Sequence, residues 1–124
     1  MAEQRFGTAE IYTVTLILDQ ATERGVFCLK THALTGQTWV LVSVGSEEGY
    51  PVTGSGAVEW VRIFEQAKPP RGHYSVTPIA DIPERGIFAV RVEGELGETW
   101  SLKTKEGQSG WRQLQWVHIA GHPT

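Results

Sequence analysis

The sequence predicts an all-β chain made of two copies of one four-stranded unit. Three observations predict it: short runs rich in β-branched and aromatic residues, glycine-bearing turns between them, and one ordered set of motifs that occurs twice. Tyr12-Thr13-Val14-Thr15-Leu16-Ile17-Leu18-Asp19 reads against Tyr74-Ser75-Val76-Thr77-Pro78-Ile79-Ala80-Asp81, 62 residues on. Glu23-Arg24-Gly25-Val26-Phe27 reads against Glu84-Arg85-Gly86-Ile87-Phe88, and Gly36-Gln37-Thr38-Trp39 against Gly97-Glu98-Thr99-Trp100, both 61 residues on. Glu59-Trp60-Val61 reads against Gln115-Trp116-Val117, where the spacing falls to 56. The fall places an insertion in the first copy near Gly45 to Gly56.

Strands are expected at 11–18, 25–31, 38–44 and 58–64 in the first copy, and at 74–80, 86–93, 99–105 and 113–119 in the second. Val, Ile, Thr, Tyr, Phe and Trp fill these runs. Thr-Glu-Arg-Gly, Leu-Thr-Gly-Gln and Leu-Gly-Glu separate them as turns. No long segment carries a helical stripe. A short turn is expected around Glu65 to Lys68, ended by Pro69-Pro70. The Lys-Pro-Pro-Arg-Gly stretch links the copies, so the chain reads as one domain, 1–124, with copies at about 9–67 and 73–120 and a linker at about 68–72. Short loops favour an antiparallel meander in each copy. Two such meanders bury a face each by closing as a barrel or stacking as a sandwich, with a pseudo-twofold axis between them. Pro78 cannot donate a ladder hydrogen bond, which puts its strand at an edge or a bulge.

Composition bounds the function. The 124 residues are 40% hydrophobic and 20% charged, with a net charge of -3. That is a globular composition. Residues 1–62 carry four basic and seven acidic side chains, and residues 63–124 carry seven of each. Neither half offers the basic surface that nucleic acid needs, so nucleic acid is not expected as a partner. One cysteine, Cys28, excludes an internal disulfide framework. No apolar run is long enough to span a bilayer, and MAEQRFGTAE has no apolar core of a secretory signal, so a cytoplasmic protein is expected.

The copies differ most in the third strand. Trp39 and Leu41 share one face, as Trp100 and Leu102 do in the second copy. The opposite face carries Ser101, Lys103 and Lys105 in the second copy but Val40, Val42 and Val44 in the first. A strand apolar on both sides needs a cover, either the inserted segment around Tyr50-Pro51-Val52 or another chain. Val40, Val42 and Val44 are therefore the expected interface of a homo-oligomer or of a protein partner.

Five tryptophans are the richest functional signal. Trp39 and Trp100 are expected in the core, where one aromatic buries a large area. On the fourth strand, Val61 and Ile63 share a face, as Val117 and Ile119 do. If that face points inward, Trp60 with Arg62, and Trp116 with His118, stand outside and can stack a sugar, a base or another planar ligand. These four are the candidate ligand-binding residues; packing inside the core is the competing account.

Other features carry less. Gly36-Gln37-Thr38-Trp39 and Gly97-Glu98-Thr99-Trp100 resemble the tail of an Asp-box turn, the hairpin motif of sialidase-like propellers. The motif's Asp falls at Leu34 and Glu95, and its Ser or Thr at His32 and Glu93, so both copies depart from it. The resemblance implies a hairpin turn and no activity. The paired turns Asp19…Glu23-Arg24-Gly25 and Asp81…Glu84-Arg85-Gly86 read as capped loops. His32, His73, His118 and His122 show no zinc-protease spacing, and no metal or cofactor is expected. Cys28 shares a strand face with Val26 and Lys30 and reads as an inert thiol. Gly54-Ser55-Gly56 is neither a nucleophile elbow nor a phosphate loop. The preferred function is a non-catalytic binding or protein-interaction module acting as an oligomer. A glycan-binding protein is one alternative. The other is a small enzyme using His73 or His118 with a carboxylate such as Asp81.

Overall fold

A computed structural model describes residues 11–19, 25–45, 57–79, 87–107 and 110–120, with side chains described except at 17–19, 25–27 and 111. The Tyr50-Pro51-Val52 segment, Glu23-Arg24, Ser55, Asp81, Glu84-Arg85-Gly86 and His122 lie outside these residues. Among the described residues the strands are β1 (Tyr12–Asp19), β2 (Gly25–His32), β3 (Thr38–Ser43), β4 (Val58–Arg62), β5 (Phe64–Glu65), β6 (Tyr74–Pro78), β7 (Ala89–Glu93), β8 (Thr99–Thr104) and β9 (Leu114–His118). A 3-10 turn, Trp111–Gln113, precedes β9. There is no α-helix among the described residues.

The strands form two sheets, in the orders β1-β2-β3-β4 and β5-β9-β8-β7-β6. The first is an antiparallel meander, and so is β6 to β9 of the second. The two do not close into a barrel. The fourth strand, expected to run to residue 64, instead breaks at Ile63. Phe64–Glu65 then leaves the first sheet and pairs in parallel with Gln115 and Trp116 at the far edge of the second. Pro78 ends β6, an edge strand that pairs with β7 alone. The missing donor therefore costs no ladder bond on the open side.

Alternation decides which side of each sheet is covered. In the first sheet, Leu29, Thr31, Thr38, Val40 and Val42 are buried, and they share one face. In the second, Tyr74, Ala89, Arg91, Glu93, Trp100, Leu102, Leu114 and Trp116 are buried on one face. The core lies between those faces, with Ile63 at its rim. Val40 and Val42, 1% and 0% exposed, thus lie in one core with Tyr74, Ala89, Trp100, Leu102, Leu114 and Trp116 of their own chain's second sheet, which supplies a cover. Only Val44, in the turn after β3, is exposed. The pseudo-twofold expectation also fails. A twofold would press equivalent faces together, yet the Leu29–Val42 face of the first sheet meets the Trp100–Leu102 face of the second. The counterparts of the latter in the first sheet, Trp39 and Leu41, point the other way.

The β2–β3 turn locks the sheets together. Gly36 has φ +77, and a Cβ there would lie 3.1 Å from the Tyr74 ring, so both its conformation and the close approach call for glycine. Gly72 N–H donates to the Leu34 carbonyl and Tyr74 N–H to the Ala33 carbonyl, at 2.8 and 2.7 Å. The Tyr74 hydroxyl donates to the Pro70 carbonyl. At the opposite end, Arg112 donates to the Ser43 carbonyl and to Glu59, both at 2.7 Å.

The β2–β3 and β7–β8 turns have the same wiring. Gly36 N–H donates to His32 C=O and Gly97 N–H to Glu93 C=O, each at 2.9 Å. The Thr38 and Thr99 hydroxyls donate to Gly36 and Gly97 carbonyls, each at 3.0 Å. His32 Nδ1 accepts from Leu34 and Thr35 N–H, while Glu93 Oε1 accepts from Glu95 and Leu96 N–H. The hairpin implied by the Asp-box likeness is present, capped from the positions where that motif has its hydroxyl and without its Asp.

Glu93 Oε2 also accepts the His73 N–H at 3.0 Å. The backbone donors of His73, Leu96 and Glu95 hold its carboxyl below the usual carboxylate range, against burial, which pushes it up. A lowered folded-state value means the carboxylate stabilises the fold fully above about pH 4.3, the ordinary glutamate value. That contribution is lost as pH falls through the lowered value. The stability gap between wild type and Glu93→Gln, read by thermal melts, should therefore be constant near neutrality and close under acid. A gap that widened on acidification would contradict this account.

Candidate functional site

Two cation–aromatic clusters occupy equivalent positions in the two sheets. In the second, β7 places Arg91 opposite Trp100 on β8, with Trp116 on β9 and Tyr74 on β6 alongside. The Arg91 guanidinium lies 4.4 Å from the Trp100 ring, 4.7 Å from Trp116 and 5.3 Å from Tyr74. It is fully buried, and Glu65 from the crossing strand β5 takes it in a two-pronged ion pair at 2.7 and 3.1 Å. The Gly36 carbonyl accepts a further N–H at 2.6 Å. Burial pushes the Tyr74 hydroxyl up from its usual pKa, with Arg91 pulling the other way.

The first sheet repeats the arrangement in the open. Lys30 on β2 sits opposite Trp39 on β3, with Trp60 on β4 and Tyr12 on β1. Its ammonium lies 4.7 Å from Trp60, 5.4 Å from Trp39 and 5.7 Å from Tyr12. Lys30 and Trp39 are half-buried, while Tyr12 and Trp60 are 43% and 38% exposed. Among the described residues no carboxylate pairs with Lys30. The same face carries Val14, Leu16 and Val58, 64%, 62% and 44% exposed. Cys28 belongs to it too, half-buried, its thiol pushed up by burial and so not activated.

The four expected ligand-binding residues therefore part company. Trp60 and Arg62 stand outside on the first sheet, as expected if Val61 and Ile63 turn inward. Trp116 does the reverse: it is 3% exposed, in the core, and Val117 and Ile119 are outside. His118 is exposed at the rim of the second sheet, where its Nε2 lies 2.6 Å from Glu98 Oε1 and its ring 5.4 Å from Trp100. Neither pair joins the other in one site. Of the two histidines weighed for catalysis, His73 lies 3.9 Å from Glu95. His73, Glu93 and Glu95 offer ligand atoms within 4.8 Å of one another, but Glu93 already serves three backbone donors.

The clusters around Lys30 and Arg91 were not singled out in the sequence. The available signal was a pair of mid-strand basic residues, Lys30 and Arg91, 61 residues apart and each in register with the tryptophan of a Gly-x-Thr-Trp run. No family model, no curated protein and no solved structure gives a match to the chain. No helix among the described residues is long and apolar enough to cross a membrane.

Proposed function

We propose that the chain is a duplicated, non-catalytic protein-interaction module, and that its working surface is the open face of the first sheet around Tyr12, Leu16, Lys30, Trp39 and Trp60. One observation carries the reading. The residues that fill the covered face of the second sheet recur on the first sheet, where nothing described covers them. Large apolar residues gathered on one open face mark an interaction site. Aromatic side chains beside a cation are the groups that dominate protein interfaces. The common descent of the two sheets is supported by their matched turn wiring and by the paired Tyr, basic, Trp and Trp positions. A small planar ligand or glycan is the second reading, favoured by the groove between Lys68–Pro70 and Trp100, where His118 meets Glu98.

Photo-crosslinking tests the interaction reading. A benzoylphenylalanine in place of Leu16, introduced in the cells that make the protein, should give discrete protein adducts. The same probe in place of Leu96, which is 69% exposed in the β7–β8 turn, should give none. Absence of adducts at Leu16, or equal labelling at both positions, would overturn the assignment.

A further inference from the structure

We propose that copies of this chain assemble head to tail into a closed ring, the outer face of one copy's second sheet covering the Tyr12–Trp60 face of the next copy's first sheet. This deepens the interaction reading, on which it rests, by naming the partner as the chain itself. The argument starts inside the molecule. Unlike faces meet there: the Leu29–Val42 side of the first sheet covers the aromatic side of the second. The two sheets are therefore stacked like successive members of a series, and a series of two has an open surface at each end. One end is the aromatic face of the first sheet. The other is the outer face of the second, and it carries the counterparts of the residues that do the covering within the chain.

Position by position the two ends fit this relation. Leu29 and Thr31, fully buried between the sheets, correspond to Val90 and Val92, which are only half-buried. Ile63 is 3% exposed, whereas its counterpart Ile119 is 47% exposed. Both isoleucines are held by the same bond, from Ile63 N–H to Thr38 C=O and from Ile119 N–H to Thr99 C=O, each at 2.8 Å. On the opposite surface, Tyr74 and Trp116 are 5% and 3% exposed, and their counterparts Tyr12 and Trp60 are 43% and 38% exposed. Val90, Val92, Ile119, Tyr12 and Trp60 each belong to a pair whose other member is covered by the internal contact; Leu16 lies beside them on the open face, though its own counterpart, Pro78, is exposed.

The turn chemistry extends the match. Gly36 lays its Cα against the Tyr74 ring and turns its carbonyl to Arg91. Gly97 has the same wiring, with φ +74. In the assembly, Gly97 of one copy lies on Tyr12 of the next, and its carbonyl receives the Lys30 ammonium. The new contact is more polar than the internal one, because Ser101 and Lys103 stand where Val40 and Val42 stand; Ser101 is itself only 5% exposed, so the contact is made around it, by Lys103, Val117 and Ile119. That makes it a separable subunit contact and not a second core.

An interface between unlike faces is heterologous, so repeating it gives a ring or a filament according to the rotation. Radial stacks of four-stranded sheets close at about four to eight sheets. At two sheets per chain, the ring holds about two to four copies.

The test uses the purified full chain in analytical ultracentrifugation. Wild type should sediment as one discrete species of about two to four copies. Leu16→Arg blocks the aromatic end and Val117→Arg the other, at residues 62% and 38% exposed, so each variant should be a folded monomer by circular dichroism. Mixed, the two should form a one-to-one pair and nothing larger, since each retains the surface the other lacks. If either variant unfolds, Val14→Arg or Ile119→Arg takes its place. Wild type that stays monomeric at its solubility limit overturns the proposal, as does Val117→Arg that assembles like wild type, which would mean that like faces pair. A monomeric wild type whose Leu16 probe still gives adducts to another protein refutes the ring and leaves the interaction reading standing. Loss of all Leu16 adducts refutes the interaction reading itself.

Discussion

Arg91→Ala is expected to lower stability by roughly 3–5 kcal/mol, the range for removing one partner of a buried ion pair. The size follows from what is left behind. Glu65, with a side chain only 10% exposed, loses both of its charged hydrogen bonds, and the Gly36 carbonyl loses its donor. The guanidinium also leaves three aromatic rings, where a desolvated cation contributes about 2 kcal/mol or more. Arg91→Lys should rescue little, because an ammonium cannot make the two-pronged contact with Glu65. Removing both charges, in Arg91→Met with Glu65→Leu, should recover much of the loss, since neither partner then stays buried alone. Lys30→Ala, the equivalent change on the open face, should cost about 1 kcal/mol or less. Urea unfolding at neutral pH measures all four. Equal costs for Arg91→Ala and Lys30→Ala would show that the buried cluster does not hold the sheets together.

That contrast also marks what could be read from the chain alone. Strand positions were legible because β-branched runs and glycine turns are local signals: β2 and β3 lie close to where Gly25-Val26-Phe27 and Thr38-Trp39 put them. Pro78 narrowed β6 to an edge or a bulge, since a residue without an N–H constrains pairing directly, and the strand lies at the edge. Alternation says which residues share a face, as with Trp39 and Leu41. It does not say which face is covered, because cover is supplied by residues far along the chain. Val40 and Val42 read as needing a cover, from the inserted segment or from another chain, whereas the second sheet of the same chain packs on them. The two-residue strand Phe64–Glu65 had no local signal at all. Its pairing is non-local, and it is what brings Glu65 to Arg91. The twofold axis was inferred from sequence likeness, which is blind to whether two similar units meet by like or by unlike faces.

Trp116→Ala should cost about 3–5 kcal/mol, and Trp60→Ala about 1 kcal/mol or less, although the two residues occupy matching positions in the two sheets, opposite Leu102 and Leu41. Before each lies Glu or Gln and after each a valine, so no local property separates them. Their surroundings do. Trp116 is 3% exposed, stacked under Arg91 and packed into the core; truncating it leaves a cavity that Leu102 and Leu114, both already buried, cannot collapse to fill. Removing a large side chain from such a site loses its transfer energy and adds the cost of the void. Trp60 is 38% exposed, and solvent replaces what its truncation removes. The measurement is the urea midpoint of each variant at unchanged m-value. Trp60→Ala should keep the wild-type fold, and in the head-to-tail assembly proposed above it should weaken the contact between copies at least tenfold, because central aromatics carry most of an interface's energy. The same substitution thus separates two roles of one strand position: in the second sheet it tests the core, and in the first it tests the surface. Similar destabilisation by both changes would place the first-sheet face inside a core and remove the ground for treating it as a docking surface.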